Sequence, residues 1–201
     1  MTFEEAAAIP QAGMLAVQGL IDKGNIQNNQ KLLINGAGGG VGTIGVQIAK
    51  LFNVDITGVD STEKLELMRS LGFDHVNDFT KEDFTENGQS YDLILDVKTN
   101  RSVFKYIKSL KPKGIYVTVG GSTPRLLQAL IIKPFIKLSR KKSISIVALK
   151  QNKDLKYLTE LFESGKLKPV IDGPFRLEEV PKAMKIFGKG EHKGKLVITV
   201  R

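Results

Sequence analysis

Six of the ten residues at positions 36–45 are glycine, and this run constrains the fold more than any other feature of the chain. It directly follows Leu32, Leu33 and Ile34, which predict a buried strand, and apolar residues recur at helical spacing after it. In a strand–glycine turn–helix unit, bare backbone and a helix N-terminus can approach a pyrophosphate closely. The run therefore predicts a dinucleotide-binding α/β unit.

An acidic residue follows the glycine run at the expected distance. Residues 40–45 match G-x-G-x-x-G, and Asp60 stands 21 residues after Gly39, at the end of the next predicted strand. Its carboxylate would accept hydrogen bonds from the adenosine ribose and repel a 2′-phosphate. Alternatively, Asp60 is the N-cap of the helix that follows or a turn aspartate, and either role is compatible with binding the ribose. Because Ser61 and Lys64 would favour a 2′-phosphate, NAD(H) and NADP(H) both stay open as cofactors.

Predicted strands and helices alternate along the rest of the chain. This alternation predicts right-handed crossovers and an α/β fold with a doubly wound parallel sheet of the Rossmann type. Two helices precede the first strand, one starting after Thr2 and one running from residue 11 to Gly24. The last strand, near residues 195–200, has no evident partner strand. The predicted strands are 31–35, 54–59, 92–97, 114–119 and 142–149, and the predicted helices are 41–52, 62–71, 100–110, 124–138 and 152–164.

Charge is distributed unevenly over the 201 residues, which are enough for one domain with an appendage. Residues 1–100 hold 7 Lys and Arg against 14 Asp and Glu, a net charge of −7, whereas residues 101–201 hold 23 against 7, a net charge of +16. The basic half could attract an anionic partner, although a solvated lysine-rich surface is the simpler interpretation. Few aromatic residues lie among the lysines, so nucleic acid is not expected as a partner.

The sequence also indicates a compartment. It has no cysteine, which excludes disulfides and cysteine-ligated zinc, and its acidic N-terminus is unlike a secretory leader. The longest apolar stretch, residues 126–138, is interrupted by Lys133 and Pro134 and is too short to span a bilayer. We therefore expect a cytoplasmic protein with no membrane partner.

No catalytic residue can be named from the sequence. His75 and His192 lie in polar surroundings without a ligand at metal-binding spacing, so both are predicted to be surface histidines. The sequence has no glycine-flanked serine elbow and no tyrosine–lysine pair at i, i+4. Asp96 and residues 118–121 end two more predicted strands, where ligands of open parallel sheets bind, although turns also need such glycines.

Five separated segments together resemble one family. They read EEAAAIP (4–10), LLINGA (32–37), GGVG (39–42), SLGFDHV (70–76) and GKLVI (194–198). The chain thereby resembles the medium-chain dehydrogenase/reductase superfamily, in its zinc-free quinone-reductase-like branch. The resemblance implies a nucleotide-binding domain at 1–165 and, at 166–201, a helix–strand segment that joins a GroES-like catalytic domain absent from this chain. It also implies a homodimer formed through the strand near 143–149.

The resemblance implies roles for particular residues. The loop residues Gly36, Gly39, Gly40 and Val41 would hold the pyrophosphate. Asp60, Ser61 and Lys64 would surround the adenosine ribose, and Val97, Thr118, Val119, Gly120, Ile146, Val147 and Ala148 would line the path to the nicotinamide. The chain departs from the family at Leu15, where a threonine usually helps to orient the nicotinamide, and at Asn28 and Asn29, which replace a proline–glycine turn.

Two functions follow from the resemblance. The first is NAD(P)H-dependent hydride transfer to a quinone or to an activated alkene or carbonyl compound, without zinc. The second is a non-catalytic dinucleotide-binding module or one chain of a split enzyme, because the substrate-binding domain would lie elsewhere. A methyltransferase is a weaker alternative, since domains that bind S-adenosylmethionine also place a glycine turn after the first strand and an acid after the second.

Overall fold

A computed structural model describes residues 1–99 and 101–200, together with their side chains except those of 137–140. The predicted helix 100–110 thus begins at a position outside the described residues. The helices are α1 (Phe3–Ala8), α2 (Pro10–Val17), α3 (Gly40–Ala49), α4 (Leu65–Leu71), α5 (Val103–Lys108), α6 (Thr123–Arg140), α7 (Leu155–Glu163) and α8 (Val180–Lys189). The strands are β1 (Lys31–Asn35), β2 (Asp55–Asp60), β3 (His75–Asp78), β4 (Tyr91–Asp96), β5 (Leu110–Thr118), β6 (Ser143–Ile146), β7 (Ile171–Arg176) and β8 (Lys195–Thr199).

Six parallel strands form the main sheet in the order β3-β2-β1-β4-β5-β6. Alternate residues of β1 enter two hydrophobic cores: Leu32 and Ile34 pack with α2, α3 and α7, and Leu33 packs with α5 and α6. The order reverses between β1 and β4, which places a topological switch point at the carboxyl end of β1. The predicted doubly wound sheet is confirmed.

Two strands differ from their prediction for a physical reason. The sequence did not predict β3, because its four residues are mostly polar and only Asp78 is buried. Parallel pairing with β2 forms this strand instead, with Asp60 beside Asp78. Strand β5 begins at Leu110, earlier than predicted, and its pairing with β4 shifts register between Tyr91 and Leu93.

The helices before β1 follow the sequence signals. Thr2 and Glu5 form a reciprocal capping box at the start of α1, and Pro10 is the first residue of α2. After α2 the chain continues as a π-helical turn over Gln18–Lys23. The buried Gln18 amide accepts a hydrogen bond from Lys150 N–H and donates one to Lys150 O, each at 2.9 Å, so it fastens this turn to the segment after β6.

The C-terminal strand has a partner strand, contrary to the prediction. Strands β7 and β8 pair in parallel as a separate two-stranded sheet, and α8 is the crossover between them. The prediction failed because β7 contains Gly173 and Pro174 and carries no apolar run. This β7–α8–β8 unit contacts the main domain at the glycine loop, where Gly194 N–H donates to Gly38 O at 2.8 Å.

Candidate functional site

The glycine loop joins β1 to α3, and the end of β2 supports it. Gly36 has a φ of +85°, in the left-handed region that favours glycine. The N–H groups of Gly36 and Ala37 donate to Val59 O at 2.9 and 3.1 Å. Helix α3 begins at Gly40, with Gly39 as an extended N-cap that has no side chain to close the helix end. The N-terminus of α3 is thereby presented as bare backbone.

Packing within the chain excludes a side chain at only some of the glycines in this loop. At Gly42 a Cβ atom would lie 2.4 Å from Gly36 O, so the close packing of turn and helix requires the absence of a side chain. At Gly39 and Gly40 the nearest atom to such a Cβ would be 3.5 Å away, which is ordinary van der Waals contact. Packing within the chain therefore requires glycine at 42 and does not require it at 39 or 40.

Asp60 ends β2, and its carboxylate holds the glycine loop. Its Oδ2 accepts from Gly38 N–H and its Oδ1 from Ser61 N–H, both at 2.9 Å. Lys64 Nζ lies 3.4 Å from the Asp60 Oδ1, and both side chains are buried. The alternative that Asp60 caps the next helix is wrong, because Ser61 occupies the N-cap position. Asp60 and Lys64 instead form a buried ion pair beside the loop.

A cavity of about 640 Å³ lies against the glycine loop. Its first wall brings together seven residues that the sequence predicted: Gly36, Gly39, Gly40, Val41, Asp60, Lys64 and Val97. Its second wall comes from α2 and the β7–α8–β8 unit, where the sequence had placed only Leu15 near a ligand. This wall includes Gln11, Ala12, Leu15, Met184, Phe187, His192, Lys195 and Ile198.

His192 is a cavity residue, so its prediction as a surface histidine is wrong. Its ring is half-buried and stacks on Phe187 with 5.2 Å between the centroids. A Cβ on Gly39 would lie 4.0 Å from His192 Nε2, which places the imidazole across from the loop backbone. Burial, together with the nearby Lys64 ammonium, lowers the pKa of His192 below its ordinary value of 6.5. His75, in contrast, is exposed as predicted, with Nε2 3.2 Å from an Asp55 carboxylate oxygen.

The remaining predicted residues are not among those lining this cavity. Thr118 is fully buried, and its hydroxyl lies 2.8 Å from the Thr99 hydroxyl and donates to Gly120 O at 2.7 Å. Val147 is buried and Ala148 is exposed just after β6. Ser61, Val119, Gly120 and Ile146 are partly buried. The cavity thus brings together the predicted loop residues with Asp60 and Lys64 of the ribose set, but not Ser61. The residues predicted at the ends of β5 and β6 lie at the carboxyl edge of the sheet, outside this cavity.

Asp96 belongs to a buried polar cluster beneath this edge. Its carboxylate accepts hydrogen bonds from Asn35 Nδ2 at 2.8 Å and from the Tyr116 hydroxyl at 2.6 Å. Burial raises the pKa of Asp96, and burial next to Asp96 raises the pKa of Tyr116. Because these bonds join β1, β4 and β5 and their atoms are inaccessible, the cluster fixes the ends of the strands under the site.

In the part of the chain that the structure describes, no group of three or more His, Asp or Glu side chains could hold a metal ion. The titratable side chains at the cavity are Asp60, Lys64, Lys98, Lys189, His192 and Lys195. Of these, only His192 has an ordinary pKa near neutrality, so it is the one group suited to exchange a proton at physiological pH.

The fold and the loop define a class of protein: a doubly wound sheet with a glycine turn at its switch point is the architecture of dinucleotide-binding domains. The sequence family described as zinc-binding dehydrogenase matches residues 71–198. The chain belongs to this family, and the relatives that it matches are named quinone, alkenal/one and furanone reductases of the medium-chain dehydrogenase/reductase superfamily. The resemblance inferred from the five segments is confirmed.

Three relatives show the extent of the similarity. The 2-methylene-furan-3-one reductase of Solanum lycopersicum is 36% identical over 98% of this chain and 47% of its own length. The NADPH-dependent alkenal/one oxidoreductase, chloroplastic, of Arabidopsis thaliana is 33% identical over 98% and 47%. The solved structure of the quinone oxidoreductase from Coxiella burnetii aligns with a TM-score of 0.87 and 26% identity over 100% of this chain and 62% of its own. The chain spans about half the length of the curated relatives.

Proposed function

We propose that the chain binds NAD(H) or NADP(H) in the cavity, with the pyrophosphate over Gly39 and Gly40. The observation that carries this proposal is the pair of glycines whose missing side chains no contact within the described chain explains. A helix N-terminus with bare backbone suits a doubly charged pyrophosphate. On the opposite wall, His192 Nε2 lies 4.0 Å from the position that a Cβ on Gly39 would take, so the imidazole stands across from the proposed pyrophosphate.

The other predicted residues receive roles along the same ligand. Asp60, Ser61 and Lys64 would surround the adenosine ribose, next to the loop that the Asp60 carboxylate already holds. Val97 and residues 118–120 and 146–148 would lead toward the nicotinamide along the carboxyl edge of the sheet. This edge is where open α/β sheets bind their ligands, which supports the assignment.

The reaction proposed is reduction of a quinone or of an alkene conjugated to a carbonyl group. The names of the relatives support this substrate class. When bound, the nicotinamide supplies a hydride; the chain itself would orient the ring and exclude water. Leu15 reaches the cavity where the family usually carries a threonine, so this chain would hold the ring by apolar contact rather than through a hydroxyl.

A non-catalytic dinucleotide-binding module is the second candidate, and the face of α8 favours it. Met184 and Phe187 line the cavity and are still more than half exposed. Large apolar side chains at the mouth of a cavity indicate a surface that another domain or chain covers. Such a chain would bind the cofactor and leave the substrate to its partner.

The boundaries and assembly rest on the resemblance as well. We propose a nucleotide-binding domain at 1–165, and at 166–201 a segment that packs with a catalytic domain; the separate β7–β8 sheet supports this division. We also propose a homodimer through β6, which lies at an edge of the main sheet. The absence of zinc and a cytoplasmic location stay predictions.

The choice between NAD(H) and NADP(H) depends on the pair formed by Asp60 and Lys64. The Asp60 carboxylate would repel a 2′-phosphate, whereas the Lys64 ammonium would attract it. Lys64→Met keeps the aliphatic packing on Gly38 and removes the charge. If Lys64 contacts a 2′-phosphate, this variant should weaken NADPH binding by at least about tenfold while changing NADH binding much less. Equal effects on both cofactors would mean that Lys64 supports the glycine loop and does not contact a 2′-phosphate.

A two-stage experiment tests the proposed function. Fluorescence titration of the 201-residue chain with NADH and NADPH, with S-adenosylmethionine as the control ligand, measures cofactor binding. Oxidation of the bound cofactor by a soluble quinone or an α,β-unsaturated ketone is then followed by absorbance. Binding with turnover supports the reductase, and binding without turnover supports the module. Binding of S-adenosylmethionine alone would contradict both.

A further inference from the structure

The sequence contains two Asn-Gly dipeptides, Asn35-Gly36 and Asn87-Gly88, and the structure places them in opposite environments. Asn35 is the last residue of β1 and is 3% exposed. Asn87 lies in the segment between β3 and β4, where it is exposed together with Gly88 and Gln89. In an Asn-Gly dipeptide the next backbone nitrogen can attack the asparagine side chain readily, because glycine places no side chain beside that nitrogen. The two sites therefore share a reactive chemistry and differ in access.

The reacting groups at Asn87 and Gly88 are unhindered. Among the described residues, no hydrogen bond engages the Gly88 N–H or the Asn87 Nδ2. A Cβ on Gly88 would have no atom within 4 Å, so the side chain has room to turn toward the backbone. The Asn87 Oδ1 accepts from Gln89 N–H at 3.0 Å. This donor faces the oxygen that gains negative charge when Cγ is attacked, so it favours the attack as the donors of an oxyanion hole do.

The same groups are held in place at Asn35 and Gly36. The Gly36 N–H donates to Val59 O at 2.9 Å. The Asn35 Nδ2 lies 2.8 Å from Asp96 Oδ1 and 3.1 Å from the Tyr106 hydroxyl, and all three side chains are buried. Because β1 pairs with strands on both sides, an attack at Asn35 would require the centre of the sheet to open first.

We propose that Asn87 is a site of spontaneous deamidation to aspartate or isoaspartate, and that the fold protects Asn35 from the same reaction. The Gly88 nitrogen gives its proton to water or hydroxide and forms a bond to Asn87 Cγ. The Cγ–Nδ2 bond then breaks, and the nitrogen takes a proton from water and leaves as ammonia. Water opens the resulting cyclic imide at Cγ, which gives aspartate, or at the main-chain carbonyl carbon, which gives isoaspartate. The net change is the gain of one water and the loss of one ammonia, with no oxidation or reduction.

This modification changes the charge of a second cavity. The cavity, of about 360 Å³, lies at the amino ends of the strands, opposite to the edge that carries the glycine loop. Asn87 lines it together with the first residues of β1, β2, β3 and β4, which are Lys31, Asp55, His75 and Tyr91. Lys31 Nζ and His75 Nε2 lie 3.8 and 3.2 Å from the two carboxylate oxygens of Asp55. Deamidation adds a second carboxylate to a cavity in which Asp55 is the one acid among the described lining residues.

Mass spectrometry of tryptic peptides tests the proposal, because cleavage after Lys and Arg separates the two dipeptides. Peptides 32–50 and 82–98 contain one asparagine each, Asn35 and Asn87. The 201-residue chain is incubated at mildly alkaline pH, both folded and in urea, and samples are acidified before a rapid digestion. In urea we expect the two peptides to deamidate at similar rates. In the folded chain, peptide 82–98 should keep nearly its urea rate, whereas peptide 32–50 should deamidate at least about tenfold more slowly.

A matched variant and an enzymatic probe identify the reacting residue. Asn87→Gln keeps an amide but lengthens the side chain, which disfavours ring closure, so it should abolish the change in peptide 82–98 and leave peptide 32–50 as in the wild-type chain. A protein isoaspartate methyltransferase should label the incubated folded chain in peptide 82–98 and not in peptide 32–50. The proposal is wrong if peptide 82–98 of the folded chain changes as slowly as peptide 32–50, or if the change persists in Asn87→Gln. Because the readout is the mass of the peptides, the result does not depend on cofactor binding.

Discussion

Gly39 and Gly42 lie three positions apart, yet the absence of a side chain has a different physical reason at each position. A Cβ at Gly42 would collide with Gly36 O at 2.4 Å, whereas a Cβ at Gly39 would have room. The sequence pattern cannot separate these cases, because G-x-G-x-x-G records only the residue type. The structure separates a glycine that the turn needs from one that a ligand would need.

This difference predicts stability effects of different size. Gly42→Ala should lower the free energy of unfolding by about 1–3 kcal/mol, the usual result of forcing an atom into close packing. Gly39→Ala should change the free energy of unfolding by less than about 0.5 kcal/mol. Urea unfolding of the two variants measures both values. A similar loss in both variants would mean that the packing of the chain demands both glycines.

His192 makes a prediction about pH. Folding lowers the pKa of His192 from 6.5, so protonation opposes folding, and the His192 contribution to stability falls as pH drops below about 6.5. A bound pyrophosphate would favour the protonated ring and raise this pKa. Affinity for NAD⁺ should therefore increase as pH falls below the ordinary histidine pKa of about 6.5, with uptake of protons on binding in that range.

Calorimetry in two buffers of different ionisation enthalpy measures that proton uptake. NAD⁺ is the suitable ligand because it lacks the 2′-phosphate of NADP⁺, which titrates in the same range. His192→Gln keeps a polar side chain and should abolish the uptake. Uptake that persists in this variant would place the titrating group elsewhere.

Elements with strong local signals were predicted well from the sequence. Strand β1 has the predicted bounds, and α3 begins within a residue of its prediction, because an apolar run and a helical repeat flank the glycines. Elements that depend on tertiary pairing were not predicted. Strand β3 exists through its pairing with β2, and the prediction gave β8 no partner because β7 lacks an apolar run.

The second wall of the cavity was missed for the same reason. His192 stands between Gly190 and Gly194, whose φ angles of +71° and +73° turn the chain back toward the loop. Two glycines around a histidine were the available sequence signal. Only the contact of Gly194 with Gly38 shows that this turn reaches a site formed about 150 residues earlier in the chain.

The contact at Gly194 gives a prediction for the whole β7–α8–β8 unit. A Cβ at Gly194 would lie 2.2 Å from Val170 O, and its φ disfavours other residues. Gly194→Ala should displace the unit from the loop, reducing amide protection in β7 and β8 while β1, β4 and β5 stay protected. It should also weaken cofactor binding. Hydrogen exchange measures the first effect; uniform loss of protection in all strands would contradict a separate unit.

At the scale of the whole molecule, the two walls of the cavity come largely from halves of the sequence that carry opposite net charge. The loop and ribose residues come from the acidic first half, whereas the second wall of the cavity comes largely from the basic second half. The cavity thus depends on segments at both ends of the chain meeting at the glycine loop. A dinucleotide bound there would join the main sheet to the β7–α8–β8 unit and stabilise their contact.

Calorimetric titration of NADH and NADPH into the wild-type chain and Gly39→Val tests the central claim most directly. A Cβ at position 39 has room in the chain, and the valine side chain beyond it would occupy the place proposed for the pyrophosphate. We predict saturable binding by the wild-type chain and at least about a hundredfold loss in a Gly39→Val variant that unfolds at the same urea concentration. Normal cofactor affinity in the folded variant would contradict the placement of the dinucleotide over the glycine loop.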